Sequence, residues 1–549
     1  MFLFQIFLFL ITVILLSFSI NGHGKLVTKN FKNDFFSDFF FGLIVVSFIV
    51  TILHFFLSIN LLISSFIFLF GLILFFKDIK INNFKFLEKK KIIYLVVILL
   101  LMPMFISQKY HEDFGYYHLP YALALLEEKI VFGFANIDKP YVFNSIWLNL
   151  NSIFFLQEKN FDFLTMPSFL LFVIFIIFSI NQLINKKRIE NSDYYLLVIL
   201  FYFILKFTRI SEFGLDLPAI IFSILSIYYF IKFFEFNEIY EKKKIFYFNL
   251  AFSVFSILIK LSTVPIIILT FYLYLKNFKE FKFYIFSYKF LFIYLLFIIF
   301  FSQQFIYTGC IFFPTSLTCF DVSWFNTDYI NLSKQIELIN KSYSKASDIY
   351  LPKEYLENFN WFPFWIKRNY VEFLEHLTTI ILPTLFFIFF LNKKETYKYE
   401  LKEKKTIYFF LIINLFFWLN FSPVYRFGVH LFITFSFIIL LGLLISREFS
   451  KEKFIIFVLI FLIFSFSKNI LRIQKQDEVF LGIQKIENLF LLNNNLNNEY
   501  IKIYYPDIEN NRINGWQGRL CWNTPFICSF NGLDVKKKNG YLIINKIKN

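Results

Sequence analysis

Long apolar segments separated by short polar connections run through most of this chain of 549 residues. About fourteen of these segments approach the roughly 20 mostly apolar residues that a membrane-spanning helix needs. A lipid-exposed backbone has to satisfy its own hydrogen bonds, so such segments form helices. The pattern therefore predicts an all-α polytopic membrane protein. The predicted spans are 2–20, 42–58, 61–76, 92–106, 164–184, 194–208, 217–234, 245–259, 262–276, 287–305, 371–391, 406–420, 427–446 and 454–467.

The short polar connections fall into two classes that alternate along the chain. One class is rich in lysine and comprises 77–91, 185–193, 235–244, 392–405 and 447–453. The other class, which we call the motif loops, holds a few basic residues beside acids or prolines. Its members are HEDFGYYHLP at 111–120, RISEFGLDLP at 209–218, KLSTVP at 260–265 and SPVYRFG at 422–428. Because basic residues collect on the cytoplasmic side of short loops, the alternation predicts cytoplasmic lysine-rich connections and external motif loops.

The alternation also predicts two long external loops, 107–163 and 306–370. Within the first, 117–128 and 144–156 show helical periodicity and are predicted to lie in the membrane interface. Loop 21–41 is predicted to be cytoplasmic, with the N-terminus outside. The first segment has no charged n-region and no A-x-A site, so it is expected to be an anchor rather than a cleaved signal.

Two domains follow from this layout. A transmembrane domain is predicted over 1–467, and a small α/β cap outside the membrane is predicted over 468–549. The cap is expected to contain a helix at about 469–494 and strands at 501–506 and 540–545.

Charge narrows the choice of partners. The formal net charge of +16 could indicate nucleic acid, but the basic residues concentrate in the lysine-rich connections and in the tail. That placement indicates an orientation signal and contact with lipid headgroups. We therefore expect membrane lipids as partners and no nucleic acid.

The four cysteines test the predicted sidedness independently. Cys310, Cys319, Cys521 and Cys528 all lie in regions that charge alone places outside. An even number of closely spaced cysteines in an oxidising compartment predicts disulfides, here Cys310–Cys319 and Cys521–Cys528. Spacings of C-x8-C and C-x6-C without histidine are poor for zinc.

An acidic pair opens the first long external loop. Glu112 and Asp113 follow a predicted span, and Tyr117 and His118 crowd the same turn. Carboxylates at such a boundary can act as a general base or bind a cation. The simpler alternative is a pair of solvated loop acids, with His118 as a packed histidine.

Several cations lie where the orientation rule disfavours them. Lys260 and Arg426 each occupy the external tip of a helical hairpin, and Lys206 and Arg209 lie at the same level. Ionisable residues at such depth are costly and indicate function. Three explanations remain: internal pairing with acids such as Asp216, extension toward headgroups, or a bound lipid phosphate.

The loop at 209–218 combines Arg209 with Glu212 and Asp216. A salt-bridged turn explains it, and so does a cavity at the membrane surface. Asp216 followed by Pro218 also suits a helix start. The chain contains none of the sequence patterns of P-loops, zinc proteases, dinucleotide-binding folds or serine hydrolases.

Taken in order, EDFGYYHLPYALAL, RISEFGLDLPA, IKLSTVP, TGCIFFP, SPVYRFG and CWNTPFIC resemble a group of bacterial multi-spanning membrane proteins. More broadly, the chain resembles the GT-C class of integral-membrane glycosyltransferases. That resemblance implies a glycosyltransferase of the bacterial cytoplasmic membrane. It would move a sugar from a polyprenyl-phosphate donor to an external acceptor, with inversion of the anomeric configuration.

The resemblance also assigns roles to residues. Asp113, or Glu112, would be the base, and Arg426 would hold the donor phosphate. Lys260, Arg209, Asp216, Glu212, His118 and Tyr117 would complete the substrate site. The pair Glu112-Asp113 stands in place of the strict D-x-D motif of the class. Whether the site requires a divalent cation therefore stays open.

A transporter or flippase of lipid-linked saccharide or another solute is the main alternative, and a scaffold without catalysis is a third. Catalysis predicts acids and cations that converge at one external site. Transport predicts charges along a path that reaches the cytoplasmic side.

Sidedness can be tested by labelling introduced cysteines in intact cells. We expect a cysteine at 340 to react with an impermeant thiol reagent and a cysteine at 398 to stay protected. The opposite pattern would invert the topology.

Overall fold

The computed structural model describes most of the chain with interruptions. The described residues are 2–29, 31, 34–77, 89–106, 113–155, 161–186, 189–206, 214–313, 315–326, 328–346, 352–393, 403–475, 521, 526–529 and 533–546. Helices dominate this part of the chain, as the apolar pattern predicts. They are α1 Phe2–Thr28, α2 Phe35–His54, α3 Leu61–Lys77, α4 Lys89–Ile106, α5 Leu119–Glu127, α6 Ile146–Ser152, α7 Met166–Asn185, α8 Asn191–Lys206, α9 Asp216–Phe233, α10 Ile239–Ile259, α11 Ile267–Lys276, α12 Phe278–Phe281, α13 Tyr288–Thr308, α14 Asp328–Ser344, α15 Pro352–Leu356, α16 Phe362–Phe389, α17 Lys404–Phe421, α18 Tyr425–Ile445 and α19 Lys451–Lys475.

A helix covers most of each predicted span, but not all of these helices are long and apolar enough to cross a membrane. Among the described residues, eight meet both conditions, and a ninth would be the pair Leu261–Lys276 and Phe278–Phe286, which is bent by 94°. The largely helical architecture is thus confirmed and is consistent with an all-α multi-pass membrane protein. The predicted number of fourteen spans is not reached by this measure.

The C-terminal end of α1 and the N-terminal end of α2 both extend into the predicted loop between them. Loop 21–41 was expected, whereas α1 continues to Thr28 and α2 begins at Phe35. The polar residues of this stretch look like loop residues, but they have partners on neighbouring helices. Asn21 Nδ2 donates to the carbonyl oxygen of Phe35 at 2.7 Å, and Thr28 Oγ1 donates to Asp38 at 2.6 Å.

Small residues bring α1, α2 and α3 together. A Cβ added at Gly22 would collide with the carbonyl oxygen of Gly71, and one at Gly24 would collide with that of Asp38. Without a hydrophobic force between helices in lipid, such close backbone approach is a main source of packing energy. A second pair, α9 and α10, uses hydroxyls: Ser223 bonds Ser256 at 2.8 Å, and Ser226 bonds Ser253 at 2.7 Å.

Each class of connection gathers at one end of the helices. At the lysine-rich end, Ser192 N donates to Glu235 at 2.7 Å, and Lys276 pairs with Glu403. The opposite end, which we call the motif face, is formed by the described residues of the connections 54–61, 106–166, 206–216, 259–266, 308–362 and 421–425. Ile130 N donates to His54 O at 2.8 Å, and Gly133 N donates to Ile306 O at 3.0 Å. There, Ser145 Oγ donates to Ile259 O at 2.8 Å, for example. The predicted alternation therefore describes the two ends of the molecule, and the assignment of the motif face to the outside stays a prediction.

The loops of the motif face depart from their predicted extents. The second long loop is shorter than 306–370, because α13 ends at Thr308 and α16 begins at Phe362. In the first loop, α5 and α6 form at the predicted places, but the interfacial prediction is wrong. Trp147 of α6 is fully buried among the helices, so α6 packs inside the protein rather than in the membrane interface.

The end of the chain folds onto the motif face. Strands β1 (Leu533–Lys538) and β2 (Tyr541–Lys546) pair antiparallel, which confirms the predicted strand at 540–545. Phe132 and β2 exchange two backbone hydrogen bonds of 2.9 Å, with Leu542 O and Ile544 N. Helix α19 runs past the predicted domain boundary at 467 to Lys475. The remainder of the predicted helix 469–494 and the strand at 501–506 lie outside the described residues.

Both predicted disulfides are confirmed. Cys310 is bonded to Cys319 with the Cα atoms 3.9 Å apart, and Cys521 is bonded to Cys528 with a Cα separation of 5.9 Å. The first bond closes a turn directly after α13, and the second lies in the segment that leads to the hairpin.

Close packing of α1 on α3 can be tested at Gly22. Gly22→Ala should lower the thermal unfolding temperature in detergent, because the new Cβ meets the Gly71 carbonyl and the Phe75 nitrogen. Gly442→Ala is the matched control, since nothing lies within 4 Å of its Cβ and alanine favours a helix by about 1 kcal/mol over glycine. Equal unfolding temperatures for the two variants would contradict the packing.

Candidate functional site

A cluster of charged residues forms on the motif face from four separate parts of the chain. Asp113 comes just before a π-helical turn, Phe114–His118, and Asp216 is the first residue of α9. Lys260 follows the last residue of α10, and Arg426 lies in the first turn of α18. Each is positioned by the end of a helix rather than by a long loop.

Asp216 holds two cations at the centre of this cluster. Its carboxylate pairs with the Lys260 ammonium, and its Oδ2 lies 3.5 Å from Arg426 Nε. Both cations also meet the ring of Phe427, with Lys260 Nζ at 3.5 Å and the guanidinium carbon of Arg426 at 5.1 Å from its centroid. Cation–π contacts of this kind stabilise charges that have lost part of their water.

Burial matters most for Lys260. Burial lowers the pKa of Lys260 below its ordinary value, Asp216 raises it, and Arg426 lowers it. The ammonium is thus partly desolvated and relies on Asp216 for its charge. Arg426 is different: 59% of its side chain is exposed, and Nε is the atom it turns to Asp216. Its terminal nitrogens are therefore free to reach a further anion.

Tyr117 connects the first loop to this cluster. Burial raises the pKa of the Tyr117 phenol above its ordinary range, Asp113 and Asp216 raise it further, and Arg426 lowers it. Asp113, Asp216 and Arg426 are therefore all within electrostatic reach of one hydroxyl. The neighbouring Tyr116 instead donates to Asp138 at 2.8 Å, which holds the π-helical turn against the rest of the loop.

Local sequence explains how the carboxylate of Asp216 reaches its partners. Asp216 was considered as the N-cap of α9, but the N-cap is Leu215, and Asp216 is the first helical residue. Pro218 in the same turn lacks a backbone N–H that would otherwise need a partner. The Asp216 carboxylate pairs instead with Lys260 on the same face. The extended backbone of Lys260 (φ −151°, ψ 117°) ends α10.

A second polar group adjoins the cluster through Tyr425. His376 of α16 bonds the Tyr202 hydroxyl through Nδ1 at 2.8 Å, and its ring stacks on Tyr425 at 3.7 Å. Lys206, at the end of α8, pairs with Glu375. Sequence reasoning missed His376 and Glu375, although ionisable residues inside a predicted span, 371–391, are a signal for function.

The predicted site residues divide into three sets. Asp113, Tyr117, Asp216, Lys260 and Arg426 come together as described. His118 is buried beside Tyr117, with ring centroids 4.1 Å apart, and belongs to the packed interior of the loop. Glu112, Arg209 and Glu212 lie outside the described residues. Within the described part of the chain, no group of three or more His, Cys, Asp or Glu residues could hold a metal ion.

The fold and the cluster together define a largely helical protein, consistent with a multi-pass membrane protein, with a charged site at one end of its helices. The sequence family described as a domain of unknown function, DUF8201, matches residues 4–433, which is most of the chain, and the protein belongs to that family. No curated protein and no solved structure matches the chain.

The pairing at Asp216 can be tested by a double-mutant cycle. Asp216→Asn should lower the unfolding temperature more than Lys260→Met, because it leaves two cations without their shared carboxylate. The double variant should cost less than the sum of the two single changes, with a coupling energy on the order of 1 kcal/mol. Strictly additive effects on thermal unfolding in detergent would show that the two side chains do not depend on each other.

Proposed function

We propose that this protein is a membrane glycosyltransferase that moves a sugar from a polyprenyl-phosphate donor to an acceptor at the external face of a bacterial cytoplasmic membrane. The observation that supports the proposal is that Asp216 pairs with Lys260 and Arg426, and that Asp113, Asp216 and Arg426 all act electrostatically on the Tyr117 hydroxyl. We infer that a base and an anion-binding group act there on one substrate. Catalysis at a single external site requires this arrangement.

The chemistry uses two kinds of group. Asp113 accepts the proton of an acceptor hydroxyl, whose oxygen attacks the anomeric carbon of the donor sugar from the side opposite the phosphate. The bond between that carbon and the phosphate oxygen breaks, and its electron pair leaves with the phosphate. Glu112 is the alternative base.

Cations stabilise the leaving group. Negative charge grows on the departing phosphate, and fixed positive charges in a partly desolvated site stabilise it strongly. Arg426 offers a planar fork of donors, and Lys260 offers a point charge beside it. Arg209 is assigned to the same group. Asp216 contacts both described cations, and it raises the pKa of the partly buried Lys260 ammonium when no donor is bound.

A site at the membrane surface suits such a donor. Arg426 and Lys260 occupy the ends of α18 and α10, where a polyprenyl chain could remain in the lipid while its phosphate reaches the cations. Tyr117 would face the sugar or the acceptor, and Glu212, which lies outside the described residues, is assigned to this site by sequence alone. The exposed guanidinium of Arg426 is the described cation with the most room for an additional anion.

Transport is the alternative, and it requires polar groups along a path between the two ends of the helices. A column of hydroxyls and amides along α9 and α10, including Ser226, Ser253 and Asn249, lies between Asp216 and the lysine-rich end. These side chains are fully buried and bond to one another. The column is therefore better explained as helix-packing contacts than as a solute path.

The proposal is tested with purified protein in vesicles, polyprenyl-phosphate-linked hexoses and a bacterial envelope extract as acceptor. Release of free polyprenyl phosphate measures transfer. Asp113→Asn should fold normally and lose roughly 10²–10⁴-fold in rate, because the base is removed. Asp328→Asn, an exposed acid at the start of α14, is the matched control and should keep the rate.

The same assay separates donor binding from proton transfer. Arg426→Ala should raise the donor concentration needed for half-maximal rate more than it changes the acceptor requirement, and Arg447→Ala at the lysine-rich end should change neither. Full activity in Asp113→Asn and in the corresponding Glu112→Gln variant would refute the base. Solute uptake without donor turnover would favour transport.

A further inference from the structure

A disulfide-closed turn after α13 carries apolar side chains that the proposed site does not use. The segment from Gly309 to Phe320, GCIFFPTSLTCF, contains no charged residue. Leu317 at its tip is 95% exposed, and Phe312 and Phe320 are each 52% exposed. Large apolar side chains at such exposure in a group indicate a surface that another apolar phase covers.

The chain turns back along α13 at Gly309. This residue has a positive φ of 79°, and its backbone N–H donates to Phe305 O at 2.7 Å, which ends the helix. Glycine adopts this left-handed geometry without strain, as is common after a helix C-terminus. The segment that follows therefore runs beside α13 instead of away from it.

The turn lies beside an unpacked face of α13, a helix long and apolar enough to cross a membrane. Exposed residues of α13, Leu291, Leu295 and Ile298, recur at helical spacing and mark one unpacked face. Phe312, which follows the end of α13, contacts Phe301 inside that helix, with ring centroids 4.4 Å apart.

A second contact fixes the depth of the turn. Phe320 meets Phe305, one turn beyond Phe301, at 5.5 Å. Phe301 precedes the helix end at Thr308 by about two turns, so the turn reaches back by roughly 10 Å along α13.

Several backbone N–H groups in the turn donate to acceptors within it. Ile311 N donates to Thr318 O at 3.0 Å, Thr315 N to Phe312 O at 2.7 Å, and Phe320 N to Gly309 O at 3.0 Å. Thr318 Oγ1 also donates to Thr315 O at 2.8 Å. Each backbone group that is paired in this way avoids the cost of an unsatisfied polar group next to an apolar phase.

From these observations we infer that the Cys310–Cys319 turn is a membrane-inserted wedge whose Phe312, Leu317 and Phe320 side chains lie among the acyl chains of the leaflet at the motif face. On its other side, Phe313 packs against Ala135 and Val142 of the first loop. The wedge thereby fixes the height of that loop relative to the bilayer. This inference does not depend on the proposed transfer reaction.

Site-specific fluorescence tests the wedge directly. All four cysteines are in disulfides, so Leu317→Cys supplies one free thiol for an environment-sensitive NBD maleimide. Ile298→Cys on the exposed face of α13 is the lipid control, and Lys537→Cys on the hairpin is the aqueous control. The labelled proteins are reconstituted in phosphatidylcholine–phosphatidylglycerol vesicles with nitroxide-labelled acyl chains, and aqueous iodide is the second quencher.

The label at 317 should lose fluorescence to the acyl-chain nitroxide as the label at 298 does, emit at shorter wavelength than the label at 537, and resist iodide. If Leu317→Cys does not fold, Phe320→Cys replaces it, and the same result is expected. Quenching of the labels at 317 and 320 by iodide but not by the nitroxide would overturn the inference. Shielding of both sites from the two quenchers would overturn it as well, since a protein surface would then cover the turn.

Removal of the disulfide tests its role in the wedge. In a Cys521→Ser/Cys528→Ser background, reduction with a phosphine opens the Cys310–Cys319 bond alone. Nitroxide quenching at 317 should then fall and iodide quenching should rise. Unchanged quenching would show that the disulfide does not hold the turn in the membrane.

Discussion

The arrangement of the motif face depends on one carboxylate that serves two cations. Asp216, at the start of α9, contacts Lys260 at the end of α10 and Arg426 at the start of α18. Each cation lies at a helix end beside a connection that the sequence predicts to be external, where the orientation rule disfavours positive charge. The pairing makes that placement tolerable, because a partly buried charge without a partner is far more costly than a paired one.

Other contacts of the face are arranged around this pairing. Tyr425, the residue before Arg426, stacks on His376, which in turn bonds Tyr202. Helices α8, α16 and α18 therefore meet at the same level as the charged cluster. Two further side chains hold the end of α17 and the connection 421–425. Trp365 donates to Pro423 O at 2.9 Å, and Lys345 donates to Asn420 O at 2.9 Å.

Some of this could be predicted from sequence and some could not, for physical reasons. Asp113, Lys260 and Arg426 stand out because a charge at a span boundary is costly, and the cost is visible in one dimension. His376 and Glu375 were missed because their partners, Tyr202 and Lys206, are about 170 residues away in the chain. The pattern of α16 alone does not reveal that they face a charged site.

Helix ends and burial were harder to predict than helices. Asn21 and Thr28 look like loop residues until α2 supplies their partners. Trp147 has the amphipathic surroundings of an interfacial helix, yet it is buried against Phe222 and Phe255. In a chain whose helices are apolar on most sides, periodicity does not distinguish a lipid-facing surface from a protein-facing one.

The central claim is that the cations gathered by Asp216 bind a lipid phosphate at the motif face. It is tested most directly by an experimental structure of the protein in lipid nanodiscs with polyprenyl phosphate added. We expect phosphate density within hydrogen-bonding distance of Arg426 and Lys260, with the polyprenyl chain leading into the bilayer and Asp113 nearby. Density for the phosphate at the lysine-rich end, with Arg426 bonded only to protein groups, would contradict the account.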